Sequence, residues 1–378
     1  MKIWSIFIIL LLMFRSNFTA AADSALKINK TMASKKYELK WNTSLTNNHY
    51  DSETDSSNLI NATIGLQGTG NLTSYLSIYG DMNLQWTSGR NQSWYGSSKN
   101  KSGIKFNEIV VRLRPSTFVD LELAAGAPSL AYINSPILIS GTTFPGVKGS
   151  ALFPIGSLAN VKLMSLYSIP SSDSLDRDRT EKEAEPTFNA HTVEVESTIL
   201  DALNIKTYGT SFQYKNLPSL VAKESILLGN SITAISESSF MFEYQFKGLL
   251  LGVESDINIF GHELRVGFQR LENKEAPTGK NRGELAFIES NLVFGYTTIT
   301  PRVEKFFNES DSGPGYYNSS SYGHNNREGN AVALTTTFGN NFSIKTRYSE
   351  SIIINVNNTS SSDDQQIFIA LETMYESI

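Results

Sequence analysis

The sequence predicts an all-β chain, a transmembrane antiparallel up-and-down β-barrel of roughly 16 to 18 strands. Three observations carry that expectation. Apolar and polar residues alternate with period two along most of the chain. The links between the alternating segments are by turns long and short. Beyond the N-terminal segment, no run is long and apolar enough for a spanning helix. A soluble β-sandwich would alternate too, but it has no reason to put long links at one set of strand ends and tight turns at the other.

The elements follow in order. Met1-Lys2, the apolar Ile3 to Phe14 and Ala20-Ala21-Ala22 read as an export signal, leaving residues 23–378 as the mature barrel. Leu72 to Trp86 shows the alternation most clearly. From Leu76 the even positions read Leu, Ile, Gly, Met, Leu, Trp, and from Ser77 the odd positions read Ser, Tyr, Asp, Asn, Gln, so one face suits lipid and the other water. The same pattern places strands near 36–45, 57–68, 72–86, 104–114, 118–126, 150–156, 160–169, 187–198 and 203–215. It continues at 219–229, 239–247, 249–260, 263–271, 284–294, 300–307, 330–339, 341–350 and 365–375. Long polar links fall at 46–56, 87–103, 170–186, 272–283, 308–329 and 351–364, and tight ones at 68–71, 115–117, 261–262 and Asn340. Between Asn216 and Gly248 the links are irregular, and there the pattern does not separate 16 strands from 18. An even count puts both termini at the short-turn end.

Strand parity also assigns the charges. A charge facing lipid at mid-depth costs about 2–4 kcal/mol for Arg or Lys, so charged positions within strands are expected to face inward. Arg112 and Arg114 alternate with Val111 and Leu113, and Asp120 and Glu122 with Val119 and Leu121. The turn at 115–117 brings these four onto one face. The same rule turns Glu38, Lys40, Lys162, Glu194, Glu196, Glu254, Asp256, Arg265, Lys345 and Arg347 inward. Opposed basic and acidic arcs would set a transverse field across a pore. The alternative is that these charges satisfy one another in a narrow or plugged barrel. The segment 127–149 (APSLAYINSPILISGTTFPGVKG) is the least polar of the long links, and packing against the barrel wall suits it better than water does.

With these features the chain resembles a Gram-negative porin, as architecture over the whole mature length and without a motif that marks a subfamily. In that family the connection after the fifth strand folds into the barrel and narrows it. The resemblance therefore implies a constriction loop at 127–149, with Leu130, Tyr132, Pro136, Phe144 and Lys148 as its contributors; the alternative is a lateral packing loop or an oligomer contact. The family's loop usually carries acidic residues, whereas this one has Lys148 as its sole charge. At the C-terminus, Ile378 stands where the family has an aromatic residue, with Tyr375 the nearest substitute. The resemblance implies passive diffusion of small polar solutes or ions, an outer-membrane location in contact with its lipid, and a homotrimer. The second reading is an outer-membrane barrel that mainly binds, as adhesin, receptor or structural surface protein, with little transport.

Composition removes other classes. A formal net charge of -5 with no long basic run gives nucleic acid no electrostatic footprint. His49, His191, His262 and His324 do not stand in catalytic spacing with serine or paired carboxylates, so the reading is of a non-enzyme without cofactor. Glu304 to Asp311 offers oxygens to a divalent cation, but its spacing is not that of a calcium loop; it reads as a solvated loop and no metal site is expected.

Overall fold

Long antiparallel strands make up most of the described backbone. The computed structural model describes residues 37–377 except 54–55, 92–101, 116–119, 131–132, 134, 141–142, 156–158, 173–182, 200–201, 237–238, 340 and 356–362. The expected export signal at 1–22, Tyr132 and Ile378 lie outside the described residues. In chain order the strands are β1 (Tyr37–Ser52), β2 (Ser56–Asn71), β3 (Leu76–Asn91), β4 (Gly103–Leu113), β5 (Asp120–Ala127), β6 (Gly146–Ile155) and β7 (Ala159–Ser168). Then come β8 (Thr187–Ile199), β9 (Leu203–Lys215), β10 (Ile232–Ala234), β11 (Phe240–Phe242), β12 (Phe246–Ile259), β13 (His262–Asn273) and β14 (Arg282–Phe294). The last are β15 (Thr297–Asn308), β16 (Arg327–Phe338), β17 (Phe342–Ile353), β18 (Asp364–Thr373) and the short β19 (Glu376–Ser377).

Sixteen of these, β1–β9 and β12–β18, form one closed antiparallel up-and-down barrel. Closure comes from β1 against β18, from Ser44↔Glu372 to Ser52↔Asp364, with β19 continuing the edge beside Lys40 and Trp41. The expectation of 16 to 18 strands resolves at 16 because β9 pairs directly with β12, from Leu203↔Ile257 to Tyr214↔Phe246. The two extra strands expected at 219–229 and 239–247 are not in the wall. The first is a helix, α1 (Ser219–Ser225), whose Val221 and Ala222 are buried, and the second holds β11, half of the β10–β11 hairpin. Both carry apolar side chains because they pack on the barrel's contents, and a short apolar run reads alike in strand and helix. The expected long link at 46–56 is also corrected: β1 runs on to Ser52 and the link is 53–55. Thr46 and Asn48 are wall residues whose polarity reflects a hydrated inner face, not a loop.

The tight connections have suitable chemistry. Phe260 and Gly261 between β12 and β13 both have positive φ, 52° and 81°, which is the backbone twist a two-residue hairpin needs. On the outer face Leu84, Trp86, Val193, Leu251, Val253, Ile288, Val303, Val332, Ile367 and Ile369 are exposed. Such a belt of apolar side chains is stable only against lipid. Aromatics mark its edge at the short-turn end, where Phe260, Phe294 and Tyr296 are exposed and Phe338 stacks on Phe342 at 4.7 Å. Inside, glycines make room for rings from the adjoining strand: a Cβ on Gly252 would collide with Tyr208, and one on Gly267 with Phe287.

Candidate functional site: the barrel interior

The interior divides into a filled side and a hydrated side. On the filled side the inner faces of β7–β9 and β12–β15 carry Leu166, Phe188, Phe212, Leu250, Leu271, Leu285 and Phe306 toward the long-loop end. All are buried, and three connections cover them. From 128–145 come Leu130, Ile133, Ile137, Leu138 and Phe144; from 216–245 come Val221, Ala222 and Leu228; from 309–326 come Tyr316, Tyr317 and Tyr322. Phe144 meets Tyr317 edge-on at 5.1 Å and Phe188 at 6.0 Å, while Tyr214 stacks between Phe188 and Tyr317 at 4.3 and 5.8 Å. The segment 128–145 leaves β5 and reaches β14 on the far wall, where a Cβ on Gly283 would lie 3.2 Å from Ile137 Cδ1. Two backbone bonds tie it to 309–326: Ser140 N–H donates to Tyr317 O (2.8 Å) and Ser319 N–H to Pro136 O (2.9 Å).

The segment 309–326 corrects the reading of Glu304 to Asp311 as a solvated loop. Glu304 lies on the inner face of β15, and Glu309, Ser310, Asp311 and Ser312 are buried. An irregular segment out of water must find partners for its backbone, and here asparagine amides supply them. Asn230 Nδ2 donates to Ser310 O (2.7 Å) and Gly313 O (2.9 Å), and its Oδ1 accepts from Gly315 N–H (2.7 Å). Asn325 donates to Gly313 O (2.6 Å), Asn308 to His324 O (2.7 Å) and Asn273 to Asp311 O (2.8 Å). Burial pushes the Asp311 carboxyl above its ordinary value, against the lowering effect of the bonds from Ser231, Ser310 and Asn230. Tyr322 clasps this segment to the wall by donating its hydroxyl to Glu304 (2.8 Å).

The charges expected on the inner faces gather into ion-paired clusters. Arg112 pairs with Glu108 (3.0 Å) and approaches Glu122 (4.0 Å), and its guanidinium lies 4.2 Å from the Tyr79 ring centroid. Arg114, just past β4 and largely exposed, binds Glu122 at 2.8 Å. Lys148 belongs to strand β6, not to the preceding loop where it was expected, and stands 3.7 Å from the same Glu122. Its position opposite Ala124 in the β5–β6 ladder fixes it to the wall. A second cluster joins Lys206 and Arg265 to Glu254 and Arg265 to Asp256 (3.3 Å). A third holds Glu304 between Arg302 (2.8 Å) and Arg347 (3.0 Å), with Glu289 on Arg302. Lys345 pairs with Glu372, and Glu196 accepts from Asn204 (2.8 Å). Asp120 opens β5 opposite Leu152, and Glu194 stands opposite Lys162 and Tyr208. Signs therefore interleave around the wall, which replaces the opposed arcs of the transverse-field expectation.

Sequence reading missed Glu304, Arg302, Lys206 and Glu108 as members of these clusters. Their signal was available: Glu304, Phe306 and Asn308 alternate with the outward Val303, Lys305 and Phe307. Alternation already marks the odd positions of β3 as a hydrated face, whereas it does not single out the uncharged inner residues of β1 and β2 as site residues. On β1–β3 the inner faces carry Ser44, Thr46, Asn48, Asn61, Thr63, Gln67, Tyr79, Asp81, Asn83, Gln85 and Thr87, half-buried along their length.

No family model matches the chain, and no curated protein does. Solved structures do. Vibrio cholerae OmpT, an outer membrane protein folded in vitro, superposes with a TM-score of 0.51 at 11% identity over 92% of this chain and 100% of that one. Its loop L8 deletion mutant gives 0.52 at 10% identity, over 90% and 100% of the two chains. Pseudomonas putida OprB in a high-pH structure gives 0.55 at 8% identity, over 90% and 94%. At such identities the likeness concerns fold alone. The chain has the porin-like outer-membrane β-barrel fold, with no subfamily distinguished.

Proposed function

We propose that the protein is an outer-membrane pore for passive diffusion of small polar solutes and ions, working as a non-enzymatic, cofactor-free conduit. The observation that carries this reading is the hydrated inner wall of β1–β3 inside a barrel whose outer face suits only lipid. In this reading the segment 128–145 is the constriction, with Leu130, Pro136 and Phe144 fixing it on the filled side and Lys148 beside it on the wall. The inward charges Arg112, Arg114, Asp120, Glu122, Glu194, Glu196, Glu254, Asp256, Arg265, Lys345 and Arg347 line the lumen. A homotrimer belongs to the same reading and is tested by native mass spectrometry from detergent. The deciding experiment is conductance of the purified chain in planar bilayers. Discrete steps are expected, and replacing Pro136 to Phe144 by a short Gly-Ser linker should enlarge them and admit larger sugars. A folded protein that inserts but gives no steps would instead be a surface barrel that binds.

A further inference from the structure

The polar residues of the hydrated side form a ladder of hydrogen-bonded groups, with Asp81 its one charged member. Near the long-loop end Gln366 donates to Asn48 (3.1 Å) and Asn61 to Thr46 (3.3 Å). Thr87 (2.7 Å) and Gln85 (3.3 Å) both donate to Asn61 Oδ1. Lower down Asn107 donates to Asp81 (3.0 Å), and toward the short-turn end Gln67 donates to Tyr79 (2.6 Å). Amides and hydroxyls thus succeed one another along most of the barrel axis, at side chains water can reach. Each amide offers two donor and two acceptor positions, and each hydroxyl both roles, so the bonds within the ladder use only part of its capacity.

We infer that solutes travel along the β1–β3 wall and that the preferred cargo is a small neutral polyhydroxylated molecule. The inference deepens the pore reading and rests on it. A polyol entering a narrow lumen must exchange its water hydrogen bonds for others, and a wall whose groups both donate and accept replaces them whichever way each hydroxyl points. An ion needs a charge that is not already balanced. The mid-wall of β1–β3 offers a single charge, the Asp81 carboxylate, which accepts from the neutral Asn107 amide. It has no cation paired with it among the described residues, so it marks one point and not a path. The cations of the neighbouring strands are held by acids: Arg112 by Glu108, Lys345 by Glu372, Arg347 by Glu304. At the level of Thr192 and Thr210, which bond each other at 2.8 Å and are buried, the filled side excludes solute.

The test uses the full mature chain in liposomes and compares efflux of radiolabelled glucose, gluconate and glucosamine, which match in size and differ in charge. Glucose should leave faster than either charged analogue. Asn61→Leu with Gln85→Leu should slow glucose about fivefold, the effect of losing roughly one net hydrogen bond, while KCl conductance persists. Thr192→Val with Thr210→Val on the filled side should leave glucose efflux unchanged. If the leucine pair does not assemble, Asn61→Asp serves: it should favour glucosamine over gluconate relative to wild type. A charged analogue that outruns glucose in the wild type overturns the inference, and so does glucose efflux indifferent to Asn61 and Gln85, or an unchanged ratio in Asn61→Asp. In each of those cases KCl conductance leaves the pore reading standing. A protein that passes neither ion nor sugar overturns the pore reading and this inference with it.

Discussion

The two sides of the interior are built from strands with the same alternation, yet one is packed like a protein core and the other is wet. The difference lies in the connections and in the inner residues beneath them. The filled side is bordered by the links 128–145, 216–245 and 309–326, long enough to fold back inside, and the inner faces below them are Leu and Phe near the rim. The links 53–55 and 72–75 within the hydrated side are too short to enter, the longer 92–102 after β3 lies largely outside the described residues, and the inner faces there are mostly Asn, Gln, Ser and Thr. Inner-face chemistry separates the two sides, and the length of the described links agrees with it. A barrel of this size is thus partitioned by where its long links fall and by which strands give them an apolar surface to settle on.

The comparison breaks most sharply at Phe144. Its ring is fully buried among Phe188, Tyr317 and their neighbours, so Phe144→Ala should cost the packed side about 3–5 kcal/mol. We expect faster external proteolysis within 309–326 and larger, noisier conductance steps, whereas Tyr79→Phe on the hydrated side should change neither. Glu304 comes next. Glu304→Gln removes the negative charge shared by Arg302, Arg347 and Tyr322 and leaves a single acceptor oxygen, and because both guanidiniums keep some water the expected loss is about 2–3 kcal/mol, below that of a fully buried pair. The same proteolysis assay, with heat-dependent gel mobility, measures it.

A smaller effect sharpens the comparison through pH. Burial raises the Asp311 carboxyl, so the packed loop binds that proton more tightly than the unfolded loop does. Its contribution to stability is complete below the unfolded pKa and is lost as pH rises through the folded one. Residues 309–326 should therefore be better protected from an acid-active protease at about pH 4 than their intrinsic cleavage rate predicts, relative to about pH 7, and Asp311→Asn should remove that difference. Smallest of all, Arg112→Ala with Arg114→Ala should shift reversal potentials toward cations by about twofold in permeability ratio, because Lys148 still faces Glu122 and salt screens the remainder.

Much of the wall was legible in the sequence. Val111/Arg112 and Leu121/Glu122 show why: lipid outside and water inside leave a period-two record, and a charge seldom breaks it. The contents of the barrel were less legible. Ser219 to Ser225 alternates too briefly to distinguish a helix from a strand, and Asp311 to Asn326 looks solvated because asparagine, serine and glycine are as suited to satisfying a buried irregular backbone as to meeting water. The pairing of Glu254 with both Lys206 and Arg265 depends on register across three strands, which alternation within one strand does not encode.

The absence of native cysteine allows the most direct test of the partition. Single cysteines would be placed at Asn61 and Gln85 on the hydrated wall and at Thr192 and Thr210 on the filled one. Each variant would then meet a small, charged, membrane-impermeant thiol reagent during conductance recording. Rapid modification with a stepwise fall in current is expected at Asn61 and Gln85, with slow or no reaction at Thr192 and Thr210. Equal reactivity on both walls would contradict the partition of the interior into a packed side and a conducting side.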